Sequence, residues 1–427
     1  MKQLKILLLF LTGFAVFYFL PLDNPAFFNA VKEAFYVLQD YARHHVVFCL
    51  VPAFFIAGGI AVFLKKDSVM KYLGPDAPKP VAYSVASVSG SILAVCSCTV
   101  LPLFSGIYKM GAGLGPASAF LYSGPAINVL AIIMTARVLG VELGIARGVT
   151  AILFSIIIGL CMHFIFRKEE ADRVKNNAMF QASSESRPIY QTIVIFILMI
   201  LILIFANWAA PQTQNTTWEF IYSIKWIVTA ISALGLFISL NRWYKVSIFN
   251  IGLNIIGIGV IQYLFGNHML SFIVGITGLS IALYKAEDEA RTWLMESWEY
   301  AKIIVPLLFY GVIIAGFLLG RPDQEGIIPS IWIYKAVGGN SLFANFFAAI
   351  SGAFMYFATL TEVPILQGLI GNGMGKGPAL ALLLAGPALS LPNMLVIKSV
   401  LGLKKTVTFV TLVVIMATIA GLIYGTI

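Results

Sequence analysis

The chain has 427 residues, of which 59% are hydrophobic and only 11% are charged. A soluble domain has roughly 45–50% apolar and about 25% charged residues, so this composition excludes a soluble enzyme. The net charge of +9 comes from short Lys and Arg clusters between apolar runs. Such clusters are typical of topology signals at a bilayer, and we expect no nucleic-acid partner.

Apolar runs near the ~20 residues that span a bilayer as a helix recur along the chain. They predict thirteen membrane segments, near 4–21, 46–64, 81–104, 114–136, 141–166, 189–209, 219–240, 247–265, 268–284, 302–320, 337–360, 376–397 and 406–425. No small-residue cleavage site follows the first run, so we expect a retained helix over 1–21 with a cytoplasmic N-terminus. The aromatic and charged segments 30–43 and 287–301 are predicted as interfacial or loop helices.

The chain contains an internal duplication at an offset of 262 residues. Between 86–126 and 348–388, 16 of 41 positions are identical, including six glycines and three prolines. Together with the polar stretch 167–187, this divides the chain into a first helix (1–21), a first repeat (30–167), a central part (168–298) and a second repeat (299–427).

The charge distribution predicts the orientation of the two repeats in the membrane. If the pairs 81–104 with 114–136 and 337–360 with 376–397 each cross the membrane once in net, 19 Lys and Arg lie inside. Six lie outside, namely Lys32, Arg43, Arg137, Arg147, Arg321 and Lys335. This obeys the positive-inside rule and gives the repeats opposite orientations. We therefore expect an all-α polytopic membrane protein with two inverted repeats and broken or re-entrant helices, a plan common in secondary transporters.

The duplicated block is rich in residues that interrupt helices. Pro102, Pro125, Pro364 and Pro387 each leave a carbonyl without its helical partner, and Gly124 and Gly386 precede two of them. In a bilayer such groups need protein, ions or water, which favours unwound segments that contact a substrate. The alternative is tight helix packing through small residues.

Two kinds of side chain in the block could bind a ligand. Cys96 and Cys98 could hold a soft ion such as Cu(I), Zn(II) or trivalent arsenic if the chain is extended there, or serve only as small buried apolar residues. Asn128 and Asn393 follow the Gly-Pro pairs and could contact substrate or link helices.

Glu362 is the single carboxylate in the block, aligned with Val100. An acid at membrane depth is costly unless it is paired or functional. It could carry a proton, neutralise a cationic substrate, pair with Lys109 or Lys376, or lie in water at an interface. We expect no cofactor, and the chain has no Gly-rich phosphate loop for an ATPase of its own.

The stretch Cys-Ser-Cys-Thr-Val-Leu-Pro with the later Gly-Pro pairs resembles the predicted permeases related to the organoarsenical efflux permease ArsP. The resemblance covers roughly 46–166 and 299–425 and implies transport rather than catalysis. The Gly-Pro at 124–125 departs from the Ser-Pro common in the arsenical exporters.

From these observations we predict a permease of the prokaryotic cytoplasmic membrane that moves a small solute, in the outward direction. One alternative is export of a soft metal or metalloid ion bound by Cys96 and Cys98. Another, from a different class, is a thiol-dependent membrane assembly factor. Expected partners are the lipid bilayer, the solute and a second copy of the chain.

Overall fold

The computed structural model describes residues 10–11, 14, 18–21, 24–63, 73–74, 77–93, 97–127, 129–170, 188–208, 216–286, 288–321, 324, 326–328, 336–355, 362–371 and 373–427. These ranges are almost entirely helical, and Gly338 and Met374 form an isolated antiparallel bridge within them. The all-α polytopic fold is therefore confirmed. The predicted first helix over 1–21 lies mostly outside the described residues.

The first half and the central part contain eleven of the named helices. They are α1 (Pro25–Tyr41), which continues through a π-helical segment (Ala42–Leu50) into α2 (Val51–Phe63), α3 (Lys79–Leu93), α4 (Ser97–Lys109), α5 (Leu114–Ala126), α6 (Val129–Val138), α7 (Val141–Ile165), α8 (Ile189–Ala206), α9 (Thr216–Tyr244), α10 (Ile248–Phe265) and α11 (His268–Tyr284). The remainder are α12 (Asp288–Leu319), α13 (Leu342–Phe354), α14 (Glu362–Gly371), α15 (Lys376–Leu389), α16 (Leu391–Leu401) and α17 (Leu403–Tyr424).

Among the described residues, six helices are long and apolar enough to cross a membrane, and the bent pair α15–α16 raises this to seven. The six are Val46–Phe63, Val141–Ile165, Glu219–Tyr244, Ile248–Phe265, Glu289–Leu318 and Leu403–Tyr424. The predicted segments 81–104, 114–136 and 376–397 are each two helices, and α15 and α16 meet at an angle of 49°. Broken helices are therefore present in both halves.

The prediction of a separate interfacial helix at 287–301 is wrong. That segment and the predicted span 302–320 form the single 32-residue helix α12. Its buried residues Trp293, Tyr300, Ile304, Leu308 and Val312 recur at spacings of seven and four, so they form one continuous stripe. This stripe packs on α1 and α2, while the charged residues that suggested a separate element lie elsewhere on the helix.

Helices in the two halves begin at the same offset as the sequence duplication. α15, α16 and α17 start 262 residues after α5, α6 and α7 respectively. Gly140 and Gly402, also 262 apart, have φ values of 109° and 80° and join the last two helices of each set. A positive φ suits glycine, which has no Cβ to clash, so the same backbone turn requires glycine at both positions.

Each half also has a close glycine crossing, between α5 and α7 in the first half and between α15 and α17 in the second. A Cβ on Gly159 would lie 2.7 Å from the carbonyl oxygen of Gly115 on α5. At the matching positions, a Cβ on Gly421 would lie 2.6 Å from the carbonyl oxygen of Gly377 on α15. Both separations are shorter than real Cβ contacts, so each crossing requires small residues.

The contacts at their ends show that α7 and α17 run antiparallel. Lys404, at the start of α17, places its Nζ 2.7 Å from Oε1 of Glu169, just beyond the end of α7. We call this end of the molecule the Glu169 face. At the opposite end, the Glu142 face, Lys376 Nζ lies 3.8 Å from Oε2 of Glu142, close to the start of α7.

The helices α3 and α4 form a hairpin that enters and leaves at the Glu169 face. Lys79, at the start of α3, lies 5.1 Å from the ring centre of Phe164 near the end of α7. Tyr108, at the end of α4, donates a hydrogen bond of 2.9 Å to Glu170. The start of α3 and the end of α4 therefore lie at the same face of the molecule.

The helices α13 and α14 form a similar hairpin that enters from the Glu142 face. Asn340, just before α13, donates its amide to the carbonyl of Leu422 at the end of α17, at 3.2 Å. Just after α14, Met374 forms its bridge with Gly338. The two hairpins thus enter from opposite ends of the molecule.

Candidate functional site

A buried ion pair joins the two halves. Arg147 on α7 donates from Nη2 to Oε1 of Glu362 at 2.6 Å, and the side chains are 0% and 1% exposed. Glu362 is the first residue of α14, where the helix dipole favours a negative charge. A charged pair so fully removed from water is costly to desolvate, so it marks a candidate functional site.

The remaining hydrogen bonds of Arg147 hold both parts of a broken helix. Nη1 donates to Oγ1 of Thr135 on α6 at 3.0 Å, and Nε donates to the carbonyl oxygen of Ala126 at 3.4 Å. Ala126 ends α5, where the helix dipole favours a positive charge. The guanidinium therefore connects the break between α5 and α6 to the hairpin helix α14.

The ion pair lies well inside the membrane-spanning part. Arg147 is six residues from the start of α7, which is about 9 Å at the rise of an α-helix. Glu362 is nine residues from the end of α14, or about 14 Å. Both ends lie at the Glu142 face, so the pair approaches the middle of a hydrocarbon core about 30 Å thick.

The positions that match the ion pair in the other half are apolar. An offset of 262 residues pairs Glu362 with Val100 and Arg147 with Phe409. Both are buried, at 1% and 0% exposure. The charged contact is therefore present in one of the two related places, and the site is asymmetric.

Several buried polar atoms near the helix breaks accept or donate no hydrogen bond among the described residues. They are Oε2 of Glu362, Oη of Tyr122, Oγ of Ser390 and Oδ1 of Asn393. Ser390 lies between α15 and α16, and Asn393 lies in the first turn of α16. Because an unpaired buried polar group costs free energy, these atoms are candidates to contact a ligand or water.

The helices are interrupted near some of the four prolines where unwinding was predicted, but not near all of them. Pro102 lies within α4, which continues to Lys109, so the chain is not unwound there. Pro125 and Pro387 lie in the last turns of α5 and α15, and the breaks follow them. Pro364 lies in the first turn of α14, where no helical N–H is needed. Gly124 and Gly386, each just before a proline, are buried in the same last turns.

The two lysines offered as partners of Glu362 lie elsewhere. Lys109 Nζ is 4.3 Å from the ring centre of Tyr300, and Lys376 pairs with Glu142 at the surface. The alternative that Glu362 lies in water at an interface is also wrong, because its side chain is 1% exposed. The partner is Arg147.

The predicted thiol site falls largely on residues that are not described. Cys96 and Asn128 lie outside the described ranges, and Cys98 is described only as a backbone position in the first turn of α4. In the part of the chain that is described, no three His, Cys, Asp or Glu side chains form a metal-binding group. Ligation by the two cysteines stays a prediction.

A second set of contacts links the halves at the Glu169 face. Lys405 Nζ lies 2.7 Å from Oε1 of Glu170, and both side chains are largely buried. Beside it is the exposed pair of Lys404 and Glu169. The hydrogen bond from Lys404 holds the pKa of Glu169 below its ordinary value, so this carboxyl stays charged at neutral pH.

Sequence reasoning did not identify Arg147 as a site residue. It assigned this arginine to an outer loop, although Arg147 lies six residues inside an apolar segment. An ionisable residue at that depth is itself a functional signal. The sequence therefore marked Arg147 as unusual, but it did not show that its partner is Glu362, 215 residues away.

The fold and site define a multi-pass α-helical membrane protein with two broken-helix halves joined by a buried ion pair. The chain belongs to the ArsP_1 family of predicted permeases, whose profile matches residues 32–426. The family expected from the Cys-Ser-Cys stretch is therefore confirmed.

Two relatives extend this comparison. The chain is 42% identical over 400 residues to the UPF0718 protein MJ0584 of Methanocaldococcus jannaschii, covering 93% of this chain and 96% of that protein. It is 33% identical over 98 residues to the UPF0718 protein YraQ of Escherichia coli K12, covering 22% and 27% of the two chains. No solved structure matches.

Proposed function

We propose that this protein is a permease that moves a small solute out of the cell through a site between its two halves. The observation that carries the proposal is the buried contact of Arg147 with Glu362 at the helix breaks. Discontinuous helices that meet near the bilayer midplane are where secondary transporters bind substrate. We place the protein in the cytoplasmic membrane of a prokaryote.

The two halves are proposed to be inverted repeats over 30–167 and 299–427, with 168–298 as an added part. The matching helix starts, the two glycine crossings and the antiparallel α7 and α17 support this proposal. In such a scaffold, rocking of one half against the other exposes a central site to each side in turn.

The ion pair is proposed as the coupling element of this cycle. Protonation of Glu362 removes its negative charge and weakens its bond to Arg147, which frees the guanidinium and the hairpin helix α14. Oε2 of Glu362 has no partner among the described residues, so it is the atom at which a proton would bind. Export driven by a proton gradient needs one group that binds and releases a proton in this way.

A growth screen identifies the solute. A strain that lacks the gene is tested against arsenicals, antimonite, copper and zinc, with the wild-type chain, Glu362→Gln and Glu299→Gln returned on plasmids. Glu299 is the matched control because it forms an exposed pair with Lys302. We expect the wild type and Glu299→Gln to restore tolerance, and Glu362→Gln to reach the membrane without restoring it.

Transport is then measured in proteoliposomes with an imposed pH gradient. Glu362→Gln should bind the solute but lose concentrative transport and its pH dependence. Wild-type rates in that variant would contradict the coupling role, and the absence of any protein-dependent movement in the wild type would contradict the permease. A Cys96→Ser, Cys98→Ser variant that loses only the soft ions would support the soft-ion alternative.

A further inference from the structure

An apolar cavity of about 500 Å³ lies among the central helices, away from the ion pair. It is bounded by α9, α10 and α11 and by the neighbouring helices α2, α8 and α12. Its inner wall includes Met199, Phe237 and the fully buried Trp293. This volume lies within the usual range of small-molecule sites.

The cavity opens sideways along α9. Ile227, Ile231 and Leu234 line it and are 60%, 63% and 44% exposed. Exposed aliphatic residues on a membrane-spanning helix contact lipid chains, so the opening faces the hydrocarbon of the bilayer. An apolar cavity of this kind excludes water and loses dispersion contacts when empty, which favours a hydrocarbon chain inside it.

One end of the cavity carries aromatic rings, and a lysine lies beside them. The rings of Trp226 and His268, which both line it, stack with centres 4.6 Å apart. Lys225 Nζ lies 5.1 Å from the ring centre of Trp226 and 4.2 Å from that of Tyr222. It donates to the carbonyl of Trp208 at 3.0 Å. No carboxylate among the described residues forms an ion pair with Lys225.

This end lies near a membrane surface, because Trp208 follows the end of α8 and His268 begins α11 there. α9 has 29 residues and is about 44 Å long, well beyond a hydrocarbon core of about 30 Å. Its first turns therefore extend into the interfacial layer, where Trp, Tyr and Lys are the usual anchors. Lys225 lies nine residues into α9, and its Nζ donates to the carbonyl of Trp208, just beyond the end of α8, so the long side chain extends back toward that layer.

We propose that this cavity binds one anionic phospholipid, with an acyl chain among the apolar walls and the headgroup phosphate beside Lys225. We assign an anionic rather than a zwitterionic lipid, because no acid among the described residues neutralises the positive charge of Lys225. The site is independent of the permease mechanism, since it lies in the central helices rather than between the two halves.

Quenching of tryptophan fluorescence by brominated lipids tests this proposal. The full-length protein is placed in nanodiscs with brominated phosphatidylglycerol or brominated phosphatidylcholine, and the signal of Trp226 is isolated by comparison with Trp226→Phe. We expect phosphatidylglycerol to bind about fivefold more tightly, which is the usual effect of one Lys near an anionic headgroup.

Two variants and one control test the headgroup contact and the acyl-chain cavity separately. Lys225→Met should abolish the preference for phosphatidylglycerol, and Ala233→Phe, which fills the cavity, should reduce quenching by both lipids. Lys285→Met, at an exposed lysine just beyond α11, should change neither. Equal quenching by the two lipids in the wild type would overturn the headgroup assignment, and unchanged quenching in a folded Ala233→Phe protein would overturn the location.

Discussion

Arg147 Nη2 and Glu362 Oε1 lie 2.6 Å apart although the two residues are separated by 215 positions in the chain. One comes from the long helix of the first half and the other from the hairpin helix of the second. Because the contact joins α7 of one half to α14 of the other, any movement of one half against the other must change it.

The first prediction concerns the stability of this pair. Removal of one partner from a buried pair costs about 3–5 kcal/mol, whereas replacement of both by apolar residues is often nearly neutral. Glu362→Met should be the most destabilising change, since it leaves an arginine that cannot lose its charge. Arg147→Met should cost less, because the remaining carboxyl can become neutral.

Unfolding in mild detergent, followed by tryptophan fluorescence, measures these differences. The double variant Arg147→Met, Glu362→Met should be more stable than Glu362→Met alone. If the two single losses simply add in the double variant, the residues do not interact as described.

The second prediction concerns the glycine crossings. Gly159→Ala and Gly421→Ala each place a Cβ against a backbone carbonyl that cannot move away easily. Overpacking of this kind costs about 1–3 kcal/mol. Gly252→Ala on α10 is the control, since nothing lies within 4 Å of its added Cβ.

We expect both crossing variants to unfold at lower denaturant concentration than the wild type. The control should be as stable as the wild type or more stable, because alanine is the better helix former. Equal stability of all three variants would show that the helices do not cross at these glycines.

The third prediction concerns topology. Reporter fusions within 168–187 and 65–79 should both report the cytoplasm, and a fusion within 137–142 should report the outside. The charge count predicts these sides, and the contacts of Lys404 with Glu169 and of Lys376 with Glu142 place Glu142 and Glu169 at opposite faces. Fusions at 65–79 and 168–187 on opposite sides would contradict the inverted arrangement.

The duplicated block could be recognised from the sequence because its glycines and prolines recur at the same spacing in both copies, although many other side chains differ. The same offset appears in the helix starts and in the turns at Gly140 and Gly402. The unbroken course of α12 was missed because charges such as Glu299 and Lys302 suggested a boundary. On a long helix these residues occupy the face opposite the buried stripe.

The ion pair could not be predicted because periodicity gives the face of a residue and not its distant partner. Glu362 was recognised as unusual at membrane depth, and Arg147 had the same signal. Their contact depends on how deep the hairpin α13–α14 enters and on where α5 breaks. Both are properties of tertiary packing rather than of local sequence.

The central claim, that a substrate path runs between the halves at the helix breaks, is tested most directly by the reactivity of Ser390→Cys. Ser390 is 2% exposed, and Leu384, earlier on α15, is 0% exposed and serves as the control. Both variants are treated in membranes with a membrane-impermeant thiol reagent, and mass spectrometry reads the modification at each position. We predict that Ser390→Cys reacts and is protected by the transported solute, while Leu384→Cys stays unmodified. Absence of reaction at Ser390→Cys from either side, in a protein that still transports, would contradict the account.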